Sequence, residues 1–166
     1  MPFTHASLPV LVLALALGPA GASAQDHHAA MNARGAEAMG FDQDQTTHHF
    51  LLHADGATID ISVKRGDDAA NRDAIRMHLP HIATAFAQGN FDLPHFIHAT
   101  DVPGAEVMAR LRDRIRYRYE ETAGGGRLRI VTADAEALSA IHAFMRFQIT
   151  DHHTGDPLTL TPVPAP

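Results

Sequence analysis

Histidine is the residue type in this chain whose abundance and spacing point most directly to chemistry. The 166 residues include 13 histidines, six methionines and no cysteine. The lack of cysteine excludes disulfides, thiolate metal sites, iron–sulfur clusters and cysteine nucleophiles. Neutral imidazole is a ligand for zinc, copper and nickel, and thioether sulfur adds a preference for copper. The composition therefore predicts a transition-metal site for copper or zinc, with copper ahead of zinc.

Two His-x-x-His pairs supply the core of the predicted site. His78 and His81 fall in a segment with helical periodicity, where a spacing of three places both rings on adjoining parts of one face. His95 and His98 repeat the spacing in a segment rich in Pro and Gly, which we expect to be a loop. The predicted metal ligands are His78, His81, His98, His142, His48, His49 and His152.

Strand and helix periodicity limits which of these rings can share one ion. His48 and His49 are neighbours in a predicted strand, so their side chains point to opposite faces and only one can enter a shared site. His142 and His152 lie on one helix side but close to three turns apart, too far to bind one ion together. The alternative is a histidine-rich scaffold whose rings cap helices, form hydrogen bonds and titrate.

Two other ligands are compatible with the composition. Haem can be held axially by His and Met, although no haem-specific spacing occurs here. An anionic ligand could bind an arginine-rich hairpin, which otherwise reads as the solvated outer face of a half-buried sheet. A net charge of −6 argues against nucleic acid as a partner. The basic row consists of Arg110, Arg112, Arg114, Arg116, Arg118, Arg127 and Arg129.

Fingerprints of common catalytic sites are absent. The chain has no Gly-x-Ser-x-Gly, His-Glu-x-x-His, P-loop or Gly-x-Gly-x-x-Gly motif. Acid–base chemistry needs a His or carboxylate beside the substrate, and spacing does not single out one among His49, His142 and Asp151. The sequence thus favours a binding protein over an enzyme.

The first 24 residues have the layout of a secretory signal peptide. The apolar run at 8–17 is too short to span a bilayer comfortably, and Ala22-Ser23-Ala24 supplies an Ala-x-Ala cleavage site. The segment before the run departs from the usual pattern because it has no Lys or Arg. We expect cleavage near Ala24, a periplasmic or secreted protein, and no membrane span in the mature chain.

The mature chain is predicted to fold as one α+β domain at 39–156, between a flexible tail at 25–38 and a Pro-rich extended tail at 157–166. Strand-like runs flank the hairpin signal Asp55-Gly56, and a glycine turn at 124–126 separates two further strands. Asp67-Asp68 opens a helix that Pro80 should kink or split, and Asp134 caps another that runs to about Thr150. Two ββα halves then form a four-stranded antiparallel sheet with helices packed on one face.

Several blocks carry a resemblance to a known family: MGFDQ at 39–43, TTHHF at 46–50, HLPHI at 78–82, PG at 103–104, GGRLRIVT at 125–132 and ALSAIHAFMRFQITDHHTGD at 137–156. The chain resembles small exported bacterial proteins that often carry the label aspartate carbamoyltransferase. The resemblance covers about residues 39–156 and implies one exported domain, with His48, His49, His78, His81, His98, His142 and His152 as family-pattern positions. The Ser-Thr-Arg-Thr-Arg loop that holds carbamoyl phosphate in that enzyme is absent, so the resemblance implies no carbamoyl transfer.

Overall fold

Four antiparallel strands form one sheet in the computed structural model, which describes residues 20–163. The strands are β1 (Thr46–His53), β2 (Gly56–Val63), β3 (Ile115–Thr122) and β4 (Gly125–Thr132), arranged β1-β2-β4-β3. Each hairpin pairs its own two strands, and β2 pairs with β4 at the centre. The predicted α+β class with a four-stranded antiparallel sheet is confirmed.

Two long helices pack against the inner face of this sheet. They are α2 (Ala69–Ala87) and α5 (Ala135–Asp151), and the inner face carries the buried side chains of Phe50, Ile59 and Leu128. Alternation puts apolar residues inside and charged ones such as arginine outside. Full burial of one large apolar side chain stabilises the fold by about 1.5–3 kcal/mol. This layer holds the elements that position the histidines.

Local signals set the ends of α2 and α5. The carboxylates of Asp68 and Asp134 accept hydrogen bonds from backbone amides of the first turn, as N-caps do. Gly89, with φ at 78°, follows the end of α2 in the left-handed region that favours glycine. Of the predicted kink or split at Pro80, the split does not occur, because α2 continues through this residue.

The N-terminal segment is a helix and not the predicted flexible tail. Helix α1 (Ala20–Met39) runs through the predicted cleavage position near Ala24. Met31 is fully buried, and the Arg34 Nε donates to the Ile97 carbonyl at 2.8 Å. The segment is rich in alanine, which has the highest helix propensity, and its contacts with the domain hold it in place. Residues 1–19, where most of the predicted signal peptide lies, are outside the described residues.

Two short helices occupy the connection between the ββα halves. Helix α3 (Asp92–His98) replaces the predicted loop, and Pro94 lies in its first turn, where the missing N–H has no helical acceptor. Helix α4 (Ala105–Arg110) and a 3₁₀ turn (Arg112–Arg114) follow. The connection therefore presents His98 from a fixed position.

The C-terminal segment is extended as predicted, but it packs against the edge of the sheet. Leu160 bridges to Leu52 of β1, and the Thr161 amide donates to the Leu52 carbonyl at 2.7 Å. The last three residues lie outside the described part of the chain. Within residues 20–163, no helix has both the length and the apolar character that a membrane crossing requires.

Candidate metal centre

Four of the seven predicted ligands meet at one small cavity between the sheet and the helices. His48 enters it from the inner face of β1, His78 from α2, His98 from the end of α3, and His152 from the residue after α5. The cavity has a volume of about 70 Å³. A cavity of this size at the histidine cluster can hold an ion or a few water molecules.

The His152 ring lies close to two other rings of the cluster. Its centre lies 5.8 Å from that of His48, with nearly parallel planes, and 5.0 Å from that of His98, with planes at 84°. Two imidazoles that share a tetrahedral ion at ~2.0 Å have centres roughly 5 Å apart. The Phe41 ring contacts both His48 and His78, at 5.8 and 5.6 Å.

The rings are close but not yet arranged as ligands. Across residues 20–163, no group of three His, Asp or Glu side chains already has a metal-holding geometry. Binding of an ion at the cluster would therefore require the rings to turn toward a common point. Methionine is also present, since Met39 lines the same cavity.

Burial keeps three rings of the cluster uncharged. Desolvation, reinforced by the neighbouring histidines, lowers the pKa of His48 and of His78 to about 4 and that of His152 to about 3. Each ring therefore offers a lone pair at neutral pH. The Nε2 atom of His48 is buried and has no hydrogen-bond partner in the described part of the chain. A buried polar atom without a partner destabilises the fold by about 1–3 kcal/mol, so a ligand that binds this nitrogen would remove that cost.

Asp151 fixes the orientation of His98. Its Oδ2 lies 2.5 Å from the His98 Nδ1, and because a carboxylate only accepts, Nδ1 carries the proton. The His98 Nε2 lies 3.0 Å from the Gln148 side-chain Oε1. Burial raises the pKa of Asp151, but hydrogen bonds from His98 and His27 outweigh it and leave that pKa below its usual value. Carboxylates hold metal-ligating histidines in this way.

The remaining predicted ligands lie away from the cluster. His81 is exposed on α2 and lines a different groove, although it remains near enough to His78 to help lower the pKa of that ring. His49 lies on the outer face of the sheet and contacts the Asp156 carboxylate at 2.9 Å. The Nε2 of His142 lies 2.9 and 3.2 Å from two carbonyls of the first hairpin, which makes its role structural.

Sequence reasoning missed two residues that shape the site. Gln148 is buried on the apolar stripe of α5, and an amide among apolar positions was a signal of this burial. Asp151 was one of several acid–base candidates, and only its contact with His98 distinguishes it. Met108 and Met145 are fully buried in the core, as residues of their pattern usually are.

The arginine row is largely paired with acidic residues. Arg127 binds Asp60 at 2.9 Å, and Arg129 binds Asp55 at 2.5 Å. A groove of about 810 Å³ beside the second hairpin is lined by four arginines, and three aspartates offset much of their charge. The lining arginines are Arg114, Arg116, Arg118 and Arg129. Because the charges nearly balance, the groove attracts an anionic ligand only weakly.

The size of the cavity distinguishes haem from a single metal ion as the ligand. Pockets that bury cofactors and drug-sized ligands have volumes of about 300–1,000 Å³. The cavity at the histidine cluster measures about 70 Å³, which is too small to hold a haem macrocycle unless the surrounding side chains move. A single metal ion fits in this volume.

Comparison with known proteins does not assign the chain to a family. No protein-family model, curated protein or solved structure matches the chain. The family resemblance drawn from the sequence blocks therefore stays a prediction.

Proposed function

We propose that this chain is an exported protein that binds a transition metal, copper ahead of zinc, at the histidine cluster, for buffering or transport. The mature chain begins after Ala24, and in a Gram-negative host it resides in the periplasm. One observation carries the proposal: three half-buried, uncharged imidazoles line one small cavity, and one of them has a nitrogen without a hydrogen-bond partner among residues 20–163.

A merely structural role explains this arrangement less well. Apolar side chains would fill the same space without an unpartnered nitrogen, whereas a metal ion gives that nitrogen its partner. Imidazole must be deprotonated to bind a metal, and the lowered pKa values of His48, His78 and His152 meet that requirement at neutral pH. The thioether of Met39 on the cavity wall favours copper, above all Cu(I).

Metal content measured with paired variants tests the proposal. The protein is exported from a Gram-negative host with its own leader, purified without a histidine tag, and titrated with Cu(I) or Zn²⁺ against a chromophoric chelator. We expect about one equivalent to bind tightly in the wild type. His48→Leu and His152→Leu should abolish that binding, because Leu fills the space without a lone pair. His49→Leu and His81→Leu should retain it.

The opposite pattern would contradict the assignment. Unchanged stoichiometry in His48→Leu and His152→Leu would place the metal elsewhere, and so would equal loss in the two control variants. Thermal unfolding of each metal-free variant checks that it is folded. A bound ion at 100 times its Kd should add about 2.7 kcal/mol to the stability of the wild type and nothing to that of His48→Leu.

A further inference from the structure

The three residues that follow the predicted cleavage point form a second arrangement of nitrogen donors. They are Gln25, Asp26 and His27. When a histidine is third in a chain, the α-amine, the two intervening amide nitrogens and the imidazole Nδ1 can all reach one ion. Four nitrogens in a plane are the ligand set that Cu(II) and Ni(II) prefer. Binding releases the two amide protons and displaces any proton on the amine.

The structure leaves these donors accessible. Residues 25, 26 and 27 are all exposed on α1. The helical acceptors of the Asp26 and His27 amides are the carbonyls of residues 22 and 23, which cleavage after Ala24 removes. Both amides then belong to the first turn of the shortened helix, where N–H groups lack partners within the helix.

The contact between His27 and Asp151 leaves the Nδ1 atom of His27 available to bind the metal. Its Nε2 lies 3.2 Å from the Asp151 Oδ1, so the carboxylate engages the nitrogen that this chelate does not use. The Nδ1 atom, which is next to the backbone and closes the ring with the His27 amide, is left for the metal. A carboxylate on the far nitrogen is the outer-shell arrangement that orients histidine ligands.

We propose that the processed amino terminus is a Cu(II) site separate from the histidine cluster, formed by the α-amine of Gln25, the amides of Asp26 and His27, and the His27 Nδ1. This inference rests on the export and cleavage in the proposed function. Asp151 contacts His27 through one oxygen and His98 through the other, so the same carboxylate borders both sites. The chain would thus take up Cu(II) at its surface independently of the buried rings.

Cu(II) added to the exported protein tests this site. Intact mass first establishes that the chain begins at Gln25 with a free amine and has not lost ammonia by cyclisation of that glutamine. One equivalent of Cu(II) should then give the visible absorption and electron paramagnetic resonance of four equatorial nitrogens. The signal should disappear in His27→Ala and in Asp26→Pro, which keeps His27 but removes an amide N–H. It should persist in His28→Ala and in His48→Leu.

Each outcome bears on one of the two sites. A different mature terminus, complete cyclisation of Gln25, or a four-nitrogen signal that survives in His27→Ala or Asp26→Pro would overturn the terminal site. None of these results affects binding that depends on His48. Conversely, a terminal signal with no metal at the histidine cluster would refute the cluster and leave the terminal site standing.

Discussion

Acidification from pH 7 to pH 5 should destabilise the metal-free protein through the histidine cluster. His48 has a pKa of 6.5 when solvated and about 4 in the folded chain. Between these values the unfolded state binds the proton more tightly, so the free energy of unfolding falls as the pH falls. The difference at pH 5 amounts to about 2 kcal/mol for this one ring.

The other two uncharged rings add to the effect. His78, with a pKa of about 4, and His152, with a pKa of about 3, each contribute up to about 2 kcal/mol at pH 5. The three losses do not sum fully, because part of each shift arises from repulsion between the rings. The lowered pKa of Asp151 also makes acid destabilising, but mainly below pH 3.8, outside this window.

Urea denaturation at pH 7 and pH 5, with chelator present, measures the effect. His48→Leu should lose about 2 kcal/mol less stability than the wild type over this interval. His49→Leu, which changes the neighbouring exposed ring, should lose as much as the wild type. If His48→Leu shows the same pH-dependent loss as the wild type, the reasoning that His48 is buried in its neutral form is wrong.

Three further predictions concern packing and hydrogen bonds, each measured by chemical denaturation. Gly104→Ala should lower the free energy of unfolding by at least about 2 kcal/mol more than Gly40→Ala. Both glycines have positive φ, but of the two only Gly104 would place a new Cβ against a backbone carbonyl, so equal losses would contradict the clash. His142→Ala should lower stability by about 1–3 kcal/mol without changing metal stoichiometry, and loss of metal would contradict its structural role. Phe144→Ala should cost about 3–5 kcal/mol, because its buried ring packs edge-on against two other phenylalanines; a cost below 1 kcal/mol would refute that packing.

Local chemistry made most of the fold predictable. Asp68 and Asp134 mark helix starts because their carboxylates satisfy amides only a few residues away. Alternation over two residues likewise identified the strands and separated His48 from His49. Helices α1 and α3 escaped prediction because their stability depends on distant contacts, such as the burial of Met31 and the Arg34 bond to α3.

The sequence by itself identified histidine as the candidate residue type for chemistry, since the chain has 13 histidines and no cysteine. It could not choose among the seven predicted ligands, because His48 and His152 come together only when β1 packs beside the end of α5. Tertiary structure also decided which rings are uncharged. The pKa of an imidazole depends on how much water and which charges surround it, and those surroundings are assembled from residues far apart in the chain.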